Sequence, residues 1–150
     1  MEPVVKLWNV LRRVRSLRFV AQSAFATGWH GVGTGSVVVA APVDSVLTFT
    51  ESGSWQPPEG RSLRFSNIFR WSRINAGLIR LEHLRFGADH PVYLFDLVSK
   101  MNGAWTSVSP HVCEQDCYAA ELRLREAGLG LRWMVTGPKK QECIEYSYWW

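Results

Sequence analysis

Four polar side chains of this sequence have types that could do chemistry inside a small protein: Glu51, Asn67, His83 and Arg85. Histidine exchanges protons near neutral pH, and arginine offers a rigid fork of donors that suits a carboxylate or a phosphate. Each of the four lies two or four residues from apolar residues of the same strand, and residues at that spacing share a face, which predicts that all four point inward. Since ionisable groups are rarely buried without partners, they must pair internally, meet water or meet a ligand.

The first hypothesis is a binding site for a small apolar or anionic molecule, such as an organic acid. His83 and Arg85 would contact its polar end, and inward-facing aromatic rings would line the cavity, the pattern of a pocket with a few orienting polar groups. The predicted ligand-binding residues are Arg85, His83, Asn67, Phe65, Phe69, Trp71, Trp133, Tyr118, Tyr146 and Tyr148.

Three other interpretations stay open. An isomerase- or cyclase-type enzyme would use His83 as a base with Glu51 or Asp96 as its partner. A purely structural interior would pair Arg85 with one of these acids and leave the barrel filled. An interaction module would dock exposed aromatics such as Trp149 on a partner.

The segment from His111 to Cys117 also contains potential metal ligands, namely His111, Cys113 and Cys117. Zinc sites usually draw paired ligands from two separate elements, and no second cluster is evident. Cys113 lacks the surroundings of a known nucleophile family. We therefore predict no metal and no cofactor.

The elements that must position these residues are short strands separated by glycine, proline, asparagine and aspartate, which predicts an all-β barrel. Because the connections are short, neighbouring strands should pair antiparallel and close up-and-down into a barrel of about 8–10 strands. A short amphipathic helix in residues 1–15 precedes the barrel domain of residues 16–150. The predicted strands are 17–26, 33–41, 45–52, 62–73, 77–86, 91–99, 104–110, 117–125, 129–136 and 142–149.

Composition and charge bear on the compartment of the protein and on the kinds of partner it could bind. The chain has 150 residues, a net charge of +4 and three cysteines. No apolar run is long enough to span a membrane as a helix, and the arginines are scattered along strands, so neither a membrane span nor nucleic-acid binding is predicted. Without a signal-peptide pattern we expect the cytoplasm; the arginine-rich first helix leaves the mitochondrial matrix as an alternative.

One stretch, Gly28-Trp29-His30-Gly31-Val32-Gly33-Thr34-Gly35, resembles the opening of calycin-type barrels, the lipocalins and the haem-binding nitrobindins. A broader likeness to a bacterial and fungal family of unknown function, expected to be lipocalin-like, runs through Phe69-Arg70-Trp71, Leu94-Phe95-Asp96-Leu97, Pro110-His111-Val112-Cys113 with Asp116 and Tyr118, and Trp133 to Lys139. The nitrobindin likeness implies a haem held by a histidine on a late strand. The last histidine here is His111, and the two final strands contain none, so in the haem-binding alternative His83 or His111 would have to hold the haem by a different geometry.

Overall fold

The fold is described from a computed structural model, which covers residues 1–25, 30–108 and 115–150, together with the backbone of 111–113. It contains one helix and a continuous series of strands. These are α1 (Pro3–Arg13), β1 (Ser16–Ser23), β2 (Gly31–Val43), β3 (Val46–Gln56), β4 (Leu63–Asn75), β5 (Leu78–His83), β6 (Val92–Ser99), β7 (Ala104–Ser107), β8 (His111–Cys113), β9 (Asp116–Arg125), β10 (Gly128–Gly137) and β11 (Lys140–Trp149).

The strands form a closed antiparallel barrel. Each strand from β1 to β7 pairs with the next, β7 pairs with β9, and β9, β10 and β11 lead back to β1. This makes a ring of ten strands, and β8 adds a short pairing on β9 beyond the end of β7. The closed antiparallel barrel with a short N-terminal helix, predicted from the sequence, is confirmed.

Helix α1 covers one end of this barrel. Its apolar stripe, Val4, Leu7, Trp8 and Leu11, is buried in the same core cluster as the inner rows of the strands. Proline at the first helical turn and basic residues in the last turn suit the two ends of a helix. We call this the helix end, and the opposite end, where β1, β3, β5 and β10 finish, the open end.

Strand β5 is shorter than predicted, because the chain turns immediately after His83. The amide of Gly87 donates to the carbonyl oxygen of Leu84 at 3.0 Å, and Gly87 has a positive φ of 92° that favours glycine. Arg85 therefore lies in a turn and is exposed, so its predicted place on the inner row is wrong. Of the predicted strand 104–110, β7 covers only Ala104–Ser107, residues 109 and 110 lie outside the described residues, and β8 was not predicted.

Strands β2 and β3 approach each other closely at inward-facing glycines. A Cβ built on Gly53 would collide with the backbone carbonyl of Thr34, and one built on Gly35 would collide with that of Ser52. Positions without side chains allow the sharp coiling that closes a barrel. These glycines therefore allow β2 and β3 to pack closely in the barrel wall next to Glu51.

Candidate functional site

A buried carboxyl lies in the barrel interior. Glu51 sits in the middle of β3, between Val37 on β2 and Asn67 on β4, and is 0% exposed. The hydroxyl of Tyr148 donates a hydrogen bond of 2.6 Å to Glu51 Oε2. Oε1 has no hydrogen-bond partner among the described residues. The site therefore contains one satisfied and one unsatisfied carboxyl oxygen.

Burial changes the protonation of this carboxyl. Loss of hydration raises the pKa of Glu51 to about 8, against a smaller opposing effect of the Tyr148 hydrogen bond. Burial also raises the pKa of Tyr146 and Tyr148, whose rings stack at 5.4 Å. At neutral pH the cluster is thus a carboxylic acid and two neutral phenols, and the acid proton is a donor available to an acceptor.

His83 lies on the same inner surface, two strands away from Glu51. It faces Phe69 across β4 and β5, with ring centroids 4.8 Å apart. Burial, and secondarily the charge of Arg85, lowers the pKa of His83, so the imidazole is neutral at pH 7. His83 can therefore exchange hydrogen bonds but brings no positive charge into the interior.

Two other polar candidates, Arg85 and Asp96, lie outside the barrel interior. Arg85 is exposed in the turn after β5, with its guanidinium over the ring of Phe86. Asp96 is on the outer wall, where Arg80 donates to its carboxylate at 2.9 and 3.1 Å. The predicted pairing of either acid with Arg85 is not observed, and Asp96 cannot assist His83 from the opposite face of the wall.

The aromatic residues fill the middle of the barrel. Phe69 on β4 and Trp133 on β10 have ring centroids 5.8 Å apart, although four strands separate them in either direction around the ring. Phe95 also contacts Trp133, at 5.2 Å. Trp71 lies deeper, against Phe49, and is 1% exposed. A ligand therefore cannot occupy the level of these rings.

Five of the predicted ligand-binding residues remain half-buried toward the open end: Phe65, Asn67, His83, Tyr118 and Trp133. They come from four strands, and Asn67 is the cross-strand neighbour of Glu51. The indole N–H of Trp133 is buried without a partner among the described residues. The residues toward the open end thus combine partly accessible rings with a buried, unpartnered indole N–H.

Two of the three candidate metal ligands lie outside the described side chains. Nothing is described of the side chains of His111 and Cys113, while Cys117 is a half-buried free thiol. Within the part of the chain whose side chains are described, no group of three histidine, cysteine or acidic residues is placed to hold a metal ion.

Sequence reasoning found the inner position of Glu51 but missed its partner. Tyr148 is 97 residues away in the chain, and only closure of the barrel brings β11 opposite β3. Alternation placed both side chains inside the barrel. The presence of a hydrogen-bonding group on each of two inner rows was therefore the one indication in the sequence that they could pair.

Fold and site together define a closed antiparallel β-barrel with an aromatic core and a buried carboxylic acid. The chain belongs to a family described as a family of unknown function (DUF6314), whose model matches residues 6–149. Neither the curated proteins nor the solved structures gave a match. Among the described residues, no helix has the length and apolar character needed to cross a membrane.

Proposed function

We propose that the protein binds a small, largely apolar molecule at the open end of the barrel, with a polar atom of that molecule accepting a hydrogen bond from Glu51. The observation that carries this proposal is the unsatisfied, completely buried Oε1 of Glu51. Leaving a buried polar group unpaired costs about 1–3 kcal/mol, so such a group is a sign of a missing partner. Free thiols at Cys117 and Cys143 suit the reducing cytoplasm predicted for it.

Access to Glu51 supports a site at the open end. Asn67 stands directly opposite Glu51 and is itself half-buried, as is Phe65 two residues earlier on the same inner row. The inner row of β4 beside Glu51 is therefore partly exposed toward the open end. The rings of Phe65 and Trp133 would cover the apolar part of the molecule, and the indole N–H of Trp133 offers a second donor.

The charges favour a neutral ligand over the acid-headed one first considered. Arg85 lies outside, His83 is neutral at pH 7, and Glu51 holds a proton. An anion placed beside these groups would lose its hydration without gaining a counter-charge. A carbonyl or hydroxyl oxygen on an apolar body matches the two available donors.

Nile red, a neutral dye with a carbonyl acceptor, tests this proposal. We expect saturable binding with increased dye fluorescence, and at least a fivefold weaker affinity in Trp133→Phe and Phe65→Ala. Trp149→Phe is the matched control, because Trp149 lies on the outer wall and is 40% exposed. Native mass spectrometry of freshly purified protein adds a search for a co-purifying molecule.

The proposal fails if the dye does not bind and no small molecule co-purifies. It also fails if Trp149→Phe weakens dye binding as much as Trp133→Phe does, because the dye would then be on the outer wall.

A further inference from the structure

The outer wall formed by β9, β10, β11 and β1 gathers arginines that are far apart in the sequence. The strand register sets Arg123 opposite Gly130, Gly130 opposite Ser147, and Ser147 opposite Arg18. Arg125 lies two residues after Arg123 in β9 and therefore faces outward on the same side of the strand. The register therefore places three arginines from two separate parts of the chain near one point of the wall, and Arg123 and Arg125 line the cavity found there.

That point is a notch. Gly130 has no side chain, and a cavity of about 230 Å³ opens above it. The guanidinium of Arg125 leans over Gly130, where a Cβ would lie 2.6 Å from its Nη2, and its Nη1 donates to Ser147 Oγ at 3.2 Å. The cavity is thus lined by Gly130 and Ser147, by the arginines Arg123, Arg125 and Arg132, and by the acidic residues Glu121 and Glu145.

Acidic residues line one side of the notch. Glu121, Arg132 and Glu145 form the next row of the register, and Arg132 is paired with Glu145 at 3.7 Å. Among the described residues, Arg18, Arg123 and Arg125 form no ion pair. Positive charge is therefore concentrated around Gly130 and stops at the acidic row.

We propose that this notch binds a small phosphate-bearing molecule. Guanidinium forks donate two parallel hydrogen bonds to an oxyanion, and forks from different strands can reach different oxygens of a tetrahedral group. The acidic row would repel the continuing backbone of a polymer, which favours a small ligand over a nucleic acid. The site is separate from the one proposed at the open end, because it uses outward-facing residues.

Titration of the full chain with inorganic pyrophosphate at 50 mM NaCl tests the site, followed by backbone amide and indole signals in NMR spectra. We expect saturable shifts of the Gly130 and Ser147 amides, and at least a fivefold loss of affinity in Arg123→Ala and in Arg125→Ala. Arg64→Ala is the matched control, since Arg64 is an exposed outward arginine of β4 on another part of the wall. Raising NaCl to 200 mM should weaken binding in the wild type.

The proposal is overturned by absence of saturable shifts, by an equal loss of affinity in Arg64→Ala, or by tighter binding of an octamer of single-stranded deoxythymidylate than of pyrophosphate. Citrate serves as a comparison, and a higher affinity for citrate would replace the phosphate assignment with a carboxylate one.

Discussion

At the scale of the residue, Glu51 is the most informative side chain of the molecule. It is completely buried, yet only one of its oxygens is satisfied, by the hydroxyl of Tyr148. Retaining a carboxyl in this position is unfavourable to stability once it ionises. The protonation of Glu51 should therefore be visible both in the stability of the fold and in the binding we propose.

Glu51→Gln should change the pH dependence of stability. The folded protein keeps the Glu51 proton up to about pH 8, whereas the unfolded chain releases it near the ordinary value of 4.5. Between these values the folded state binds one more proton, so wild-type stability decreases with rising pH, by about 1.4 kcal/mol per pH unit from this group. Urea unfolding of wild type and Glu51→Gln at several pH values between 5 and 8 measures this pH dependence of the free energy of unfolding.

The difference in the free energy of unfolding between wild type and Glu51→Gln isolates the contribution of Glu51 from that of His83. The lowered pKa of His83 makes stability rise with pH in the acidic range, which is the opposite trend. A constant difference across pH 5 to 8 would show that Glu51 is not protonated in the fold. Above pH 8, wild-type affinity for nile red should fall while that of Glu51→Gln persists, because an amide still donates.

At the scale of the element, strands β2 and β3 depend on the absence of side chains at inward positions. The Gly53 backbone lies against the carbonyl of Thr34 and the Cα of Gly35, and backbone cannot move aside as a flexible side chain can. Helix α1 shows the complementary case, in which large side chains, including Leu7 and Trp8, complete the core at the helix end.

Gly53→Ala should be strongly destabilising, by about 2–4 kcal/mol, because the added methyl group overpacks a wall made of backbone. Gly77→Ala is the control, since its Cβ would meet only Asn75 Oδ1, at 3.9 Å. Denaturant unfolding should place the two variants far apart. Equal stabilities would mean that β2 and β3 separate at no cost, contrary to the packing described here.

At the scale of the whole molecule, the barrel is a packed core with one accessible end. Phe69 and Phe95 reach Trp133 across the interior, so opposite walls touch through their side chains. Ten strands could enclose a larger space, and the size of the rings is what fills it. The binding that we propose is therefore confined to the level above these rings.

Phe95→Ala should lower the free energy of unfolding by about 3–5 kcal/mol, through lost burial and the cavity left behind. Phe86→Ala removes the same ring from a loop position that is 66% exposed, and should change stability by no more than about 0.5 kcal/mol. Urea unfolding of both variants checks this. A small loss in Phe95→Ala would indicate that the interior is hollow at this level.

Much of the fold could be predicted from the sequence because alternation is local. The inner rows of β4, β9, β10 and β11 follow from residues two apart, as in Phe69 and Trp71, and the apolar spacing of α1 follows from neighbouring turns. Arg85 shows the limit of this reasoning: alternation continued through His83 but could not register the turn that ends β5.

The sequence by itself determined which side chains share a face, and so it determined that Glu51 is inside an antiparallel β-barrel. Only the tertiary structure decided that Tyr148 meets Glu51, that the rings close the middle, and that Arg18 joins Arg123 around Gly130. The physical reason is that the face on which a side chain lies is set by the two-residue period of the backbone within one strand. Partners are fixed by register and closure between strands that are distant in the chain.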